Sequence, residues 1–416
     1  MSAGLPARVA RAARARLLDA RATPVLSAAA LRGAWRARAG GHPADPAHAP
    51  HRDTALDWLC RAQDATGGAG IARGYSLTWN PYFRASGWQP AYPETTGYII
   101  PTLFAAARAL DRAELRERGL RAARWEMEVQ LPSGAVQGGV IGQPASPAVF
   151  NTGQVMLGWL AAWEEAGDDA FADAARRAGA WLARCEAGGA FVQGNSRFAR
   201  GDATAYNARA AWALAEAGAL LGEPAFTDAA ARVLQAVAAA QHEDGWFPGC
   251  CLYDPRHPLL HTLAYTVRGL LEGGRVLRDD TLVRAAERAA AGLAERVGAK
   301  GRMAGRFGPG WTDAAPWSCV TGQAQMANNW LRLTEITGDA GWIDPAARSI
   351  GFVKRTQDRA APEPGVRGGI PGSWPLGGEY GRYEMLSWAA KFFADALMRH
   401  EHALRPDATP APGRLA

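Results

Sequence analysis

Six carboxylates stand among aromatic residues in the stretches of this chain that lack helical periodicity: Glu94, Asp202, Asp254, Asp313, Glu379 and Glu384. Glu94 lies in Tyr92-Pro93-Glu94-Thr95-Thr96-Gly97, directly before a chargeless apolar run. That places it at a helix N-terminus, where negative charge is favoured and where a proton donor or acceptor could face a cleft. Glu379 follows Gly377-Gly378, and Asp202 precedes Thr204-Ala205-Tyr206-Asn207. Two carboxyl groups held a few ångströms apart are what glycosidic cleavage needs, one to protonate the leaving oxygen and one to activate water or attack. Glu94 with Asp202 or Glu379 is the expected acid and base. His261 and Tyr265 form a second set, four residues apart and therefore on one face of a helical turn. With Arg209, Tyr206 and Asn207 they could neutralise a uronate and abstract a proton, as a lyase or epimerase requires.

The aromatic residues gather in the same stretches. All nine Tyr and six of the sixteen Trp lie there or in the first turn of an apolar run. Flat rings with one polar edge suit sugar faces or prenyl chains. The residues expected to hold a ligand are Tyr92, Trp88, Tyr206, Asn207, Arg209, Trp246, Trp317, Gln323, Trp374, Tyr380, Tyr383 and Glu384. Cys250, Cys251, His257 and His261 are close in sequence but match no common zinc spacing. No glycine cluster follows a phosphate-binding pattern. Neither metal nor cofactor is expected.

The elements that must position these residues repeat. Thr96-Gly97, Thr152-Gly153 and Thr321-Gly322 each open an apolar run, at intervals of 56 and 169 residues, the second almost three times the first. Runs near Tyr206, Tyr265 and Tyr383 complete six units after residue 50. Each unit pairs two helical patterns. One is amphipathic (51–63, 114–130, 171–186, 226–241, 281–297, 343–358), as a surface helix is. The other is nearly chargeless (95–107, 149–163, 204–215, 261–271, 319–333, 383–397) and must be surrounded by protein. Alternation of the two predicts an all-α fold, an (α/α)6 toroid with six inner helices within six outer ones. Links from buried to surface helix are short. The reverse links (64–95, 131–151, 187–204, 242–261, 298–320, 358–382) are longer than usual, and all six must lie over the N-termini of the inner helices. Residues 1–50 read as an Arg/Ala-rich segment, partly disordered or helical. Residues 51–405 read as the toroid and 406–416 as a disordered tail.

Composition narrows the function. The 416 residues are 48% hydrophobic and 21% charged, and no apolar run reaches the ~18–20 residues of a membrane span. The formal charge of +6 resides in residues 1–50, whose eight Arg and two Asp leave 38 basic against 38 acidic side chains in the remainder. A neutral body argues against a nucleic-acid partner. Five cysteines, without a CxxC pair, fit a reducing compartment. With no apolar core of a secretory signal at the N-terminus, the expected location is the cytoplasm. Oligomeric state is not legible.

The six-hairpin pattern resembles the α/α-toroid superfamily of glycoside hydrolases, polysaccharide lyases, uronyl epimerases and terpenoid cyclases and prenyltransferases. Gln241-His-Glu-Asp-Gly-Trp246 is similar to the QW repeat of squalene cyclases, but it stands clearly only once and no DxDD motif accompanies it. Tyr92-PETTGYIIPT, Val149-FNTGQ and Gly368-GIPGSWP more closely resemble a little-characterised toroid family of bacterial polysaccharide gene settings, over about residues 51–400. That resemblance implies carbohydrate chemistry and carries over no catalytic residue. The function expected is a glycoside hydrolase acting on a bacterial polysaccharide or its oligosaccharides. The alternatives are a lyase or C5-epimerase, a non-catalytic glycan-binding toroid, and a terpenoid-handling protein.

Overall fold

The computed structural model describes residues 27–196, 204–250 and 252–405. Asp202, Cys251, residues 1–26 and the 406–416 segment lie outside the described residues. Thirteen α-helices are found among those described. The first, α1 (Ala28–Arg38), is capped by the Ser27 hydroxyl, which accepts from the Ala30 N–H. Six hairpins follow, and each begins with an outer helix: α2 (Ala49–Asp64), α4 (Ala113–Glu128), α6 (Asp169–Cys185), α8 (Pro224–Ala239), α10 (Asp280–Ala294) and α12 (Ile343–Thr356). The inner helices are α3 (Pro93–Leu110), α5 (Val149–Ala166), α7 (Ala208–Leu221), α9 (Leu260–Leu277), α11 (Val320–Thr337) and α13 (Ser387–Leu404). Each inner helix packs on the next, and α13 packs back on α3 and α2, so the ring is closed. The protein is an (α/α)6 toroid.

The Thr-Gly landmarks now have a physical reason. Thr96 Oγ1 accepts from the Ile71 N–H and donates to the Tyr92 carbonyl. Thr152 repeats this with the Val136 N–H and the Ala148 carbonyl. Thr96 and Thr152 therefore each pin the preceding long loop to the first turn of the inner helix, whereas Thr321 Oγ1 is buried without a partner. The glycines set how closely inner helices approach. A Cβ on Gly97 would stand 2.4 Å from Val155 Cα, on Gly153 2.8 Å from Ala210 Cα, on Gly269 2.3 Å from the Ala208 carbonyl carbon, and on Gly322 2.7 Å from the His261 nitrogen. Backbone meets backbone at every one of these crossings.

The outer ring is tied differently. Gln63, Gln130, Gln241 and Gln357, each at or just past the end of an outer helix, donate from Nε2 to a carbonyl of the next outer helix. The acceptors are Arg118, Ala174, Ala285 and His51 respectively. The glutamine of the QW-like segment is thus one of four equivalent bridges, and Gln357 to His51 closes the circle.

Two sequence expectations need correction. The last inner helix starts at Ser387 rather than 383. Residues Glu384–Leu386 form a strand, β9, that pairs antiparallel with β1 (Gly74–Asn80), which also pairs with β2 (Ala85–Trp88). A chargeless run with no strand alternation conceals such a short edge. The third inner helix begins with a single 3-10 turn at Ala205–Asn207 and becomes α-helical at Ala208. Seven further strands of two to four residues, β2 among them, lie in the loops and were not anticipated.

Gly97→Ala and Gly269→Ala should each destabilise the fold by about 1–3 kcal/mol, the cost of overpacking where backbone cannot yield. Gly351→Ala, where a Cβ meets nothing within 4 Å, should be neutral or slightly stabilising. Urea unfolding of the three variants checks both expectations.

Candidate functional site

The first turns of the inner helices face one another across the ring axis and bring together residues from every hairpin. Glu94 occupies the first turn of α3, partly exposed at the mouth. Burial pushes its carboxyl up to about 7, against the pull of the Tyr92 hydroxyl, which donates to Glu94 Oε2, and of the Arg73 and Arg209 charges. At neutral pH a large share of this side chain therefore holds its proton, as a general acid must.

Beneath Glu94 lies a layer of rings. Tyr98 and Tyr265 hydroxyls are 3.4 Å apart. Phe150 meets Tyr206 at 5.3 Å and Tyr265 at 4.8 Å between ring centres, and Phe392 meets Tyr98 at 5.6 Å. The His261 ring lies tilted, 4.4 Å from Tyr265 and 5.0 Å from Tyr380, whose hydroxyl accepts from Trp388 Nε1 at 2.8 Å. Arg209 lies under this layer, 1% exposed, with Nε donating to Gln154 Oε1 at 2.6 Å.

His261 and Tyr265 are brought together, but their environment opposes acid–base work. Burial depresses the imidazole to about 3 and raises the Tyr265 phenol well above its ordinary value. The imidazole is neutral, with Nδ1 bonded to Gln325 Oε1 at 2.7 Å.

The other residues singled out in the sequence distribute themselves unevenly. Tyr92, Tyr206, Arg209 and Tyr380 join the axial cluster. Asn207 bonds to Asn195 Oδ1 at 2.8 Å on its rim. Glu384 is buried and fully engaged with Arg73 at 3.0 Å, Gln89 at 2.8 Å and Asn80 at 2.5 Å, so it holds β1 and β9 together. Glu379 is well exposed and paired with Arg306 at 3.4 Å. Trp246 is buried with Nε1 donating to the Phe307 carbonyl, and Trp317 lies against Gly305 and Gly378. Trp374 is buried below α1. Trp88 packs on Trp58 and Tyr75. Gln323 donates to the Gly301 carbonyl at 2.5 Å, away from the axis. Tyr383 has φ of 55° and turns the chain into β9. Cys250, His257 and His261 turn to three separate partners, Thr266, Asp254 and Gln325.

Arg73, Tyr98, Phe150, Gln154, Gln325, Trp388 and Phe392 belong to the cluster and were missed. A signal existed for four axial positions. Glu94 and Tyr98 stand three residues before and one after Gly97, and Phe150 and Gln154 stand at the same offsets from Gly153.

No family model matches this chain, and no curated protein does. Solved structures do resemble it. An unsaturated glucuronyl hydrolase specific for heparin aligns with a TM-score of 0.66 at 17% identity, over 85% of this chain and 97% of that one. An unsaturated glucuronyl hydrolase of a Bacillus species, responsible for glycosaminoglycan degradation, gives 0.66 at 14% identity over 87% and 98%. Cellobiose 2-epimerase from Bacillus thermoamylovorans gives 0.65 at 11% identity over 83% and 96%. These likenesses establish the α/α-toroid fold.

The infrared difference between wild type and Glu94→Gln should show a protonated carboxyl band that titrates near pH 7. Tyr92→Phe should move that midpoint upward, because the hydroxyl it removes stabilises the ionised form. A downward move would contradict the hydrogen-bond assignment.

Proposed function

We propose that this protein is a glycoside hydrolase that acts on oligosaccharides derived from a bacterial polysaccharide, with Glu94 as general acid. The observation that carries the reading is the carboxyl held near neutrality at the mouth of the ring. In this position Glu94 protonates the departing glycosidic oxygen, while the half-buried rings of Tyr92 and Tyr380 support the sugar. A second carboxylate from the loops activates water. The candidates are Glu379, exposed and free to reorient from Arg306, and Asp202, outside the described residues. Arg73 and Arg209 both act on the Glu94 carboxyl, and a uronate-bearing sugar is the substrate of this proposal. The glucuronyl hydrolases among the structural neighbours support that choice.

A lyase or epimerase based on His261 and Tyr265 is the weaker reading, since an imidazole depressed to about 3 is a poor base. Action on intracellular oligosaccharides belongs to the same proposal, supported by the free thiols of Cys60, Cys185 and Cys319. No helix among the described residues is long and apolar enough to cross a membrane.

Purified protein incubated with neutral and uronate-terminated oligosaccharides should release reducing sugar from the latter. Glu94→Gln should lower turnover by about 10²–10⁴-fold while binding, followed by calorimetry, persists. Unchanged turnover would remove Glu94 from the mechanism. Binding without any release by wild type would favour a glycan-binding toroid.

A further inference from the structure

Three buried cations of the inner helices are paired with carboxylates. Lys391 Nζ meets Asp395 Oδ2 at 2.7 Å, and Thr102 donates to the other oxygen at 2.8 Å. Arg268 meets Glu272 at 3.1 Å, and Arg332 and Arg275 bond the same carboxylate. Arg399 meets Glu335 at 2.6 Å. Arg209 is equally buried, yet no carboxylate of the described residues lies within ion-pair distance of it. Its guanidinium is enclosed by Tyr265, Trp212, Phe392 and Tyr98, with ring centres 5.0–5.8 Å away. Nε is satisfied by Gln154, but Nη2 is buried with no partner, and so is Gln154 Nε2 beside it.

A guanidinium removed from water without a counter-charge costs several kcal/mol. The surroundings show that strain. Burial depresses Lys391 to about 7 and Arg268 to about 9, and the Arg209 charge adds to both. Arg209 also borders a small internal chamber whose wall includes Arg268, Gln325, Asn328, Asn329 and Asp395. The chamber has room for a single water-sized species. Its one carboxylate, Asp395, is already paired with Lys391.

We propose that this axial chamber binds a monatomic anion, chloride under ordinary conditions, as the counter-ion of Arg209. A chamber with room for one small species has none for a substrate carboxylate, so the site is distinct from the sugar-binding mouth above it. Binding involves no covalent step, and the reading stands whether or not the protein is a hydrolase. The anion lowers the free energy of the folded state in proportion to its occupancy.

The test is thermal unfolding of the full chain, dialysed into sodium gluconate and titrated with sodium chloride or bromide at constant ionic strength. Wild type should gain about 3 °C in Tm along a saturating curve, and formate should not reproduce it. Asn328, on the chamber wall, carries an unpartnered Oδ1. Asn328→Asp should place a fixed negative charge there and abolish the halide dependence. Arg209→Met, if it folds, should abolish it too. A bromide-soaked crystal should show an anomalous peak beside Arg209. Superimposable chloride and gluconate curves for wild type, or a saturating response that survives in Asn328→Asp, would overturn the proposal.

Discussion

Contact between the backbones of neighbouring inner helices is the constraint on which the rest of this structure depends. Gly97, Gly153, Gly269 and Gly322 bring successive helices close enough that no side chain fits between them. Five of the six inner helices are held this tightly, and the narrow ring they form with the sixth forces the first turns to converge. Glu94, Phe150, Arg209, His261 and Trp388 are far apart in sequence and adjacent in space for this reason alone. The outer glutamine bridges repeat the principle at larger radius, where the Nε2 of one hairpin satisfies a carbonyl of the next. Neither device requires a large hydrophobic side chain, which explains how Ala-rich helices can carry the wall.

Electrostatics at the axis is a contest between burial and arginine. Desolvation favours the neutral form of Glu94, whereas Tyr92, Arg73 and Arg209 favour the charged one. Burial wins, but the arginines limit its effect, and the carboxyl settles where proton donation at neutral pH is feasible. Among the described residues no carboxylate offsets the burial of His261, and the Arg209 charge adds to it, so burial and repulsion act in the same direction. Two titratable residues on one ring face therefore differ in chemical use because of their neighbours rather than their type.

Much of the architecture was legible in the sequence because burial leaves a compositional trace. Chargeless runs such as 149–163 can only be interior helices, and their spacing counts the hairpins. Glu94 was legible because a carboxylate beside such a run must sit at its N-terminus. Other features leave no such trace. The Glu384 strand is too short to alternate. Trp246, Trp317 and Trp374 look like cleft aromatics until their burial beneath the loops is seen. Arg73 lies in a loop whose path depends on pairing with a strand about 310 residues later. Gln130 and Gln357 share the role of Gln241 without its surrounding motif, because only the carbonyl they reach is conserved in geometry.

The most direct measurement is the crystal structure of Glu94→Gln soaked with a uronate-terminated oligosaccharide that wild type cleaves. The account predicts a sugar seated over Tyr265 and Tyr380, with its glycosidic oxygen within about 2.6–3.2 Å of the residue 94 amide. An oligosaccharide bound elsewhere on the ring, or one whose scissile oxygen lies beyond reach of residue 94, would contradict it.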